Sequence, residues 1–175
     1  PGDIAAFVKK EAESFQPLIK KSKIHFSVLC NPESITGYFD TDKLDKILYN
    51  LLSNAAKYTV EGGFIQVTLS YAEDRDHVLL KVKDNGKGIS SEECEKLNAR
   101  MMDSDAFRNS SESIGMVNVN QRIRLFYGSE YGIHVKSQQD RGTEITITLP
   151  VRTISEDMKM EVEDEKNGLS GINHR

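Results

Sequence analysis

Two neighbouring segments, residues 64–71 and 77–82, most strongly restrict the fold of this chain. The Gly62-Gly63 pair opens the first segment, and the polar residues Asp74 to Asp76 separate it from the second. Short apolar segments bounded by glycines and polar residues are typical of β-strands, and a short polar turn joins strands that run in opposite directions. The sequence therefore predicts an antiparallel hairpin, so the sheet that contains it is not purely parallel.

Helical and strand patterns alternate unevenly on both sides of this hairpin. Apolar residues at three- and four-residue steps predict three long helices, over residues 4–23, 41–58 and 115–127, with Asp3 and Thr41 as N-caps of the first two. Additional predicted elements are strands at 24–29, 38–39, 132–137 and 143–149 and a short helix near 91–98. This order predicts an α/β or α+β fold in which about three helices pack on one face of a mixed sheet.

Length and composition are those of one globular domain. Of the 175 residues, 38% are hydrophobic and 29% are charged, which excludes collagen, fibres and disorder throughout. No run approaches the roughly 18 to 20 apolar residues of a membrane-spanning helix, and the N-terminus lacks the apolar core of a signal peptide. We therefore expect a soluble domain.

Charge and cysteine content exclude several classes of function. Lys and Arg number 23 against 27 Asp and Glu, which gives a net charge of −4. A mildly acidic chain without a basic stripe offers duplex DNA or RNA little to bind, so no nucleic-acid partner is expected. Cys30 and Cys94 are far apart and form no CxxC motif, which favours a reducing, cytoplasmic compartment without a disulfide framework or zinc site.

Two segments are predicted to lie outside regular structure. Residues 97–113 show no clear period and carry five Ser or Asp residues between 103 and 111, which is typical of a mobile loop. Residues 151–175 carry six acidic and four basic side chains without a sustained apolar face. We expect one domain over residues 1–150 and a polar, disordered tail or linker over 151–175.

The helix predicted over residues 41–58 has two distinct faces. Its buried stripe is predicted at Leu44, Ile47, Leu48, Leu51, Leu52 and Ala55. Asn50, Asn54 and Lys57, at i, i+4 and i+7, share another face. An Asn oxygen can join phosphate oxygens around Mg²⁺, and Lys offers a point charge to phosphate. A solvated polar face is the commoner meaning of such spacing, so this helix alone does not identify a site.

The segment Asp84-Asn85-Gly86-Lys87-Gly88-Ile89 directly follows an apolar strand. A buried carboxylate at a strand end can accept a hydrogen bond from the exocyclic amine of adenine, and the glycines allow the backbone to pass close to a ligand. An ordinary hairpin turn is the alternative. The segment is not a Walker loop, because GxxxxGK[ST] is absent, and it lacks the third glycine of a dinucleotide fingerprint. It is not a calcium loop, because Lys81 and Lys83 stand where acidic ligands are needed.

Two weaker motifs follow along the chain. Residues 113–118, SIGMVN, lead from the predicted loop into a helix start, where backbone amides and the helix dipole can hold phosphate. Arg141-Gly142-Thr143 begins a strand and supplies a hydroxyl donor. In isolation, a plain loop-to-helix junction explains the first motif better than a phosphate site does, and a simple turn explains the second equally well.

Taken together and in this order, the four motifs resemble the ATP-binding catalytic domain of bacterial sensor histidine kinases. The resemblance covers residues 3–150 and rests on NLLSNAAKYT at 50–59, DNGKGI at 84–89, IGMVNV at 114–119 and RGTEITITLP at 141–150. The wider superfamily includes gyrase, the heat-shock chaperone ATPase and the mismatch-repair ATPase. The segment NVNQRIRLFYG at 118–128 is similar to the YesM-like class. The resemblance implies a two-layer Bergerat-type ATP-binding fold with a mixed, mainly antiparallel sheet.

The resemblance also implies roles at the base end of an ATP site. Asp84 would bind the adenine, and Thr143 would lie behind the adenine beside it. Tyr58 would place its ring against the nucleotide. The residues implied to shape the pocket are Gly86, Gly88 and Ile89.

At the phosphate end, the resemblance implies that Asn54 is a Mg²⁺ ligand and that Lys57 contacts phosphate. Asn50 would lie near the γ-phosphate, and Gly115 and Met116 would lie under the phosphates where a lid begins. Ser113 departs from the family, which usually has Gly there, and its side chain restricts φ at that hinge. ATP and Mg²⁺ are thus the expected cofactors.

Asn50 favours phosphoryl transfer over hydrolysis. In the ATPase relatives a Glu at this position is the general base for water, and an amide has no basic site near neutral pH. A protein-histidine kinase is therefore expected, with a non-catalytic nucleotide-binding switch or a gyrase-type ATPase as alternatives. His25, His77 and His134 fall in predicted strands, and His174 lies near the C-terminus. None has the helical His-Glu or His-Asp context of a phosphoacceptor.

The expected partners follow from the missing acceptor. We expect the chain to be part of a longer, dimeric inner-membrane sensor whose dimerisation domain carries the acceptor histidine. A response regulator would be an indirect partner. The domain alone is expected to be a monomer.

Overall fold

The alternation of apolar and polar side chains gives the central sheet one buried and one exposed face. The computed structural model describes residues 2–37, 39–102 and 114–151. In chain order the elements are β1 (Gly2–Asp3), α1 (Ile4–Ser14), α2 (Gln16–Lys21), β2 (His25–Asn31), β3 (Thr36–Gly37), α3 (Thr41–Tyr58), β4 (Phe64–Tyr71), β5 (His77–Asp84), α4 (Ser91–Met102), α5 (Ile114–Tyr127), β6 (Gly132–Gln138) and β7 (Gly142–Pro150).

Five strands form the main sheet, in the order β2-β4-β5-β7-β6. The β2–β4 pair is parallel and the other three pairs are antiparallel, so the predicted β4–β5 hairpin is confirmed. Val67 faces Val82, Val82 faces Ile145, and Ile145 faces Val135, and all four side chains are buried. This register places a row of apolar side chains on one face of the sheet.

Helices cover that buried face, whereas Lys83 and Lys136 on the opposite face are exposed. The predicted apolar stripe of α3 is buried throughout: Leu44, Ile47, Leu48, Leu51, Leu52 and Ala55. The predicted two-layer α/β class with a mixed, mainly antiparallel sheet is confirmed. The described part of the chain has five helices rather than about three.

The first predicted helix is two helices in the structure. Asp3 caps α1 as predicted, because its carboxylate accepts hydrogen bonds from the N–H groups of Ala5 and Ala6 at 2.9 and 3.1 Å. The prediction of one continuous helix is wrong, because α1 ends at Ser14 and α2 begins at Gln16. Pro17 explains the break, since it lacks an N–H and its ring clashes with the preceding turn.

Two predictions between β2 and α3 are also wrong in detail. The N-cap of α3 is Asp40 rather than Thr41, because the Asp40 side chain accepts a hydrogen bond from Lys43 N at 3.0 Å. The short strand is β3, at Thr36–Gly37, and Phe39 lies outside it. Tyr38 lies outside the described residues.

The predicted loop begins too early. Residues 97–102 belong to α4, and Met101 is buried because it faces the apolar core. The other part of that loop, residues 103–113 with Ser113, and the predicted tail from residue 152 onward lie outside the described residues. Among the helices of the described ranges, none combines the length and apolarity needed to cross a bilayer.

Candidate nucleotide-binding site

A cavity of about 430 Å³ lies between α3, the start of α5 and the segment that follows β5. Its floor is made of apolar side chains from β5, β6 and β7, such as Val82, Val135 and Ile145. Polar side chains line it at Asn50, Asn54, Tyr58, Asp84, Lys87 and Thr143. An apolar cleft with a few convergent polar groups is typical of a small-molecule site.

Most of the residues predicted for the site meet in this cavity. Those that line it are Asn50, Asn54, Tyr58, Asp84, Gly88, Ile89, Met116 and Thr143. Gly86 supports the site from outside the lining, and Lys57 lies on the exposed surface of α3 beside Tyr58. Gly115 belongs to α5, but nothing is described of its surroundings. Four motifs that are far apart in sequence therefore come together in space.

Helical spacing explains how α3 contributes three side chains to one wall. Asn50, Asn54 and Tyr58 follow one another at four-residue steps and so lie along one line of the helix. Leu51 and Ala55 lie beside this line and are buried against the sheet, which fixes the helix in place. Lys57 is one position away from the line, and its Nζ lies 5.0 Å from the centroid of the Tyr58 ring.

Asp84 is the buried acid of the cavity. It ends β5 opposite Thr143 of β7, and only 8% of its surface is exposed. Burial raises the pKa of the Asp84 carboxyl, while hydrogen bonds from the backbone of Gly86 and Thr143 act in the opposite direction. The Gly86 N–H lies 2.8 Å from Asp84 Oδ1. A carboxylate has about four lone-pair positions, so Asp84 can accept a further hydrogen bond from a ligand in addition to these two.

Glycines let the segment after β5 pass between α3 and the β6–β7 turn. A Cβ on Gly86 would collide with the carbonyl oxygen of Tyr58, and a Cβ on Gly88 with that of Gln138. Gly88 also has φ +59°, which L-residues rarely adopt. The sequence analysis attributed these glycines to a ligand, but here the protein's own backbone excludes a side chain.

Sequence analysis missed two residues of the site. Lys87 lines the cavity and stands within the DNGKGI motif, so its position in that motif could have identified it. Ser137 accepts a hydrogen bond from Ile89 N at 3.0 Å, and its Oγ lies 3.0 Å from Thr143 Oγ1. No sequence signal marks Ser137, because its role depends on the pairing of β6 with β7.

The side chains of the cavity can supply few metal ligands, so they suit a metal ion that is also bound by oxygens of the nucleotide better than an ion held by the protein alone. Within the described ranges, no group of three or more His, Cys, Asp or Glu residues could hold an ion. The exposed amide of Asn54 can offer one neutral oxygen at the cavity. Mg²⁺ suits such a site, because it usually takes few protein ligands and completes its shell with water and phosphate oxygens.

Comparison with known proteins identifies the family. A model of the histidine kinase-, DNA gyrase B- and HSP90-like ATPases matches residues 39–153, which include all four motifs. The chain belongs to this family. Within the family it is an ATP-binding catalytic domain of the sensor histidine kinase type, as the sequence predicted.

Individual relatives agree with this assignment. The adaptive-response sensory kinase SasA of Thermosynechococcus vestitus is 32% identical over 150 residues, which are 85% of this chain and 38% of that protein. The catalytic domain of histidine kinase ThkA has the same fold, with a TM-score of 0.70, 18% identity and coverage of 86% of this chain and 95% of that one. ThkA is also known in complex with a response regulator protein, TrrA, with a TM-score of 0.69, 20% identity and coverage of 86% and 41%. The chain spans 11 to 38% of the length of the curated relatives that it matches first.

Proposed function

We propose that this cavity binds Mg-ATP and positions the γ-phosphoryl group for transfer to a histidine on a separate acceptor domain. The observation that carries the proposal is the placement of the buried Asp84 and of the Asn50–Asn54 face in one cavity. The Asp84 carboxylate can accept a hydrogen bond from the base of a nucleotide. The amide oxygens of Asn50 and Asn54 are neutral metal ligands, which suit the phosphate end with its bound Mg²⁺.

Asp84 and Thr143 would bind the adenine. The exocyclic amine of adenine is a donor, and the buried carboxylate is the acceptor that it needs. Apolar neighbours such as Val82 and Ile145 exclude water from this end of the cavity, which strengthens the hydrogen bond. Tyr58, Gly86, Gly88 and Ile89 would shape the pocket around the base and ribose.

The phosphate chain would lie along the α3 face that carries Asn50 and Asn54. Asn54 would supply an oxygen to Mg²⁺, and the bound ion would neutralise part of the phosphate charge. Lys57 would reach phosphate from the neighbouring surface position, since its long stem can extend past Tyr58. Gly115 and Met116, at the start of α5, would lie under the phosphates, where backbone N–H groups and the helix dipole favour anions.

Because of Asn50, an external nucleophile is a better acceptor of the γ-phosphoryl group than water is. Its amide can position a group by hydrogen bonding but cannot remove a proton from water near neutral pH. His25, His77 and His134 do not line the cavity, and all three lie on strands. We therefore infer that the acceptor histidine belongs to a dimerisation domain of a longer, dimeric membrane-bound sensor, with a response regulator as the subsequent partner.

Domain organisation forms part of the same proposal. Residues 1–150 would form the catalytic domain, monomeric alone, and 151–175 a linker. Val151 is buried and its N–H bonds to Asp76 O at 2.9 Å, so the packed region reaches one residue further than the predicted boundary.

Single-turnover transfer tests this proposal. The chain is incubated with γ-labelled ATP and Mg²⁺, alone and with a dimeric acceptor hairpin from a related histidine kinase. We expect the chain alone to stay unlabelled and to release phosphate slowly, and the hairpin to gain an acid-labile phosphohistidine. The same hairpin with its acceptor histidine replaced by Gln is the control. Strong labelling of the chain itself, or rapid phosphate release that Asn50→Ala abolishes, would contradict the proposal.

A further inference from the structure

Lys87 is the one lysine among the described residues that lines the cavity, and Lys57 lies outside the lining. Its Nζ lies 4.7 Å from the centroid of the Tyr58 ring, close enough for a cation–π contact. Tyr58 is the last side chain of the line Asn50, Asn54 and Tyr58 along α3. The Lys87 ammonium group therefore lies at the end of the wall that carries both asparagines.

The backbone of Lys87 is held on both sides. Its N–H donates to Tyr58 O at 3.3 Å, and its carbonyl accepts from Asp140 N at 2.7 Å. Gly86 and Gly88 on either side are closely packed against neighbouring backbone. Only the flexible side chain of Lys87 is free to change position, so a small change of rotamer can move the ammonium group from the ring toward a ligand.

Within the part of the chain that the structure describes, Lys87 has no ion-pair partner. Among the described residues, no carboxylate lies within 4.0 Å of Lys87 Nζ. The charge of Lys87 has a small effect on Glu93. Hydrogen bonds from Ser90 are the main reason that the pKa of the Glu93 carboxyl is lowered, and the charges of Lys96 and Lys87 lower it further by smaller amounts. A cation without an ion-pair partner at the edge of a cavity can bind an anionic part of the ligand at little cost.

We propose that Lys87 binds the phosphate chain of the nucleotide as a second lysine, in addition to Lys57, and that the Tyr58 ring helps to orient its ammonium group. This inference rests on the proposed ATP site. The chain carries a net charge of −4, so a polyanionic ligand gains from local positive charge at the cavity. Because Tyr58 would lie beside the base and ribose, Lys87 would bind the phosphates nearest the ribose. The DNGKGI segment would then contact the adenine through Asp84 and the phosphate chain through Lys87.

A comparison of ATP with adenosine tests the role of Lys87. Calorimetry measures the affinity of both ligands, with Mg²⁺, for the full chain and for Lys87→Gln, Lys87→Arg and Lys83→Gln. Lys83 is exposed on the opposite face of the sheet, so Lys83→Gln removes the same charge away from the cavity. A charge-assisted hydrogen bond corresponds to roughly a tenfold to hundredfold change in affinity.

We expect Lys87→Gln to weaken ATP binding by about tenfold and to leave adenosine binding unchanged. Lys87→Arg should retain most of the ATP affinity, and Lys83→Gln should match the unmodified chain. An equal loss for ATP and adenosine would show that Lys87 acts only by supporting Tyr58 and would overturn the inference. Unchanged ATP affinity in Lys87→Gln would also overturn it and would leave the ATP site intact. If the unmodified chain bound neither ligand, the proposed function would fail as well.

Discussion

At the scale of single residues, the chemistry of the site depends on where a side chain is buried. Asp84 was predicted to be a buried acid because DNGKGI follows an apolar strand, and the structure buries it opposite Thr143. Lys87 and Ser137 were missed for different reasons. Lys87 stood in a recognised motif but was given no role in it, whereas Ser137 enters the site only through strand register.

Asp84→Asn should separate binding from folding. Asn keeps an oxygen that can accept the Gly86 N–H but presents an amide donor to the adenine amine, so we expect ATP affinity to fall about tenfold. The free energy of unfolding without nucleotide should change by less than about 1 kcal/mol, because a neutral group avoids the cost of burying charge. Calorimetry and urea unfolding measure the two quantities. Wild-type affinity in the variant would remove Asp84 from the adenine site.

The difference in unfolding free energy between Asp84→Asn and the unmodified chain should depend on pH in one direction. Because the pKa of Asp84 is raised in the folded state from its ordinary value of 3.8, the folded chain holds this proton at pH values where the unfolded chain has lost it. The contribution of Asp84 to stability therefore falls as pH rises from the unfolded pKa through the folded pKa. The unfolding free energy of Asp84→Asn relative to the unmodified chain should increase over that interval and be constant above it. The opposite slope would contradict the burial argument.

Gly88→Ala and Gly62→Ala form a matched pair. Both glycines have positive φ, +59° and +78°, but a Cβ on Gly62 meets nothing within 4 Å, whereas one on Gly88 collides with Gln138 O. We expect Gly62→Ala to cost about 1 to 2 kcal/mol of stability from φ alone and to bind ATP normally. Gly88→Ala should cost more and weaken ATP binding, because the segment that carries Lys87 must move. Equal stability and affinity for the two variants, measured by urea unfolding and calorimetry, would contradict this account.

At the scale of elements, two asparagines join α4 and α5 to strand β6. Asn98 pairs with both backbone groups of Val135, at 2.7 and 3.0 Å, and so covers part of the edge strand. Asn120 is buried; it donates to Met101 O at 2.6 Å and accepts from Ile133 N at 2.7 Å. These bonds fix the end of α4 and the body of α5 beside the cavity.

Asn120→Ala should be strongly destabilising. It leaves one buried carbonyl and one buried N–H without partners, each worth about 1 to 3 kcal/mol, so we expect a loss of about 2 to 4 kcal/mol. Asn98→Ala is the comparison, because Asn98 is only half-buried and Val135 O would keep a hydrogen bond from Cys94 Sγ at 3.3 Å. Urea unfolding of both variants measures the difference. A smaller loss for Asn120→Ala than for Asn98→Ala would contradict the structural role of Asn120.

The extent of sequence-based prediction also differs between elements. The α3 stripe and the β4–β5 hairpin were predicted correctly because local periodicity and turn residues determine them. The single first helix was wrong because apolar periodicity continued through Pro17. The predicted loop began too early because α4 depends on tertiary contacts, such as the burial of Met101, that a polar sequence does not display. Asn120 lies on the apolar face of α5 between Met116 and Ile123, and a polar residue there was a missed signal of a buried, paired amide.

At the scale of the whole molecule, the sheet and helices separate the two ends of the proposed ligand. The strand ends of β5 and β7 bring Asp84 and Thr143 to the closed, apolar end of the cavity. Asn50 and Asn54 are exposed side chains that α3 presents to the same cavity. This division fits a domain that holds a nucleotide firmly by its base and leaves the terminal phosphoryl group available to an external histidine.

Structure determination of the chain with Mg²⁺ and a non-hydrolysable ATP analogue would show whether the nucleotide binds in the cavity in the proposed orientation. We expect the adenine amine within hydrogen-bond distance of the Asp84 carboxylate and the phosphate chain along the face of Asn50 and Asn54. The adjoining cavity of about 340 Å³, lined by Phe39, Arg122 and Tyr127, should stay free of nucleotide. Adenine bound in that second cavity, or phosphates bound at Asp84 with the base facing solvent, would contradict the account.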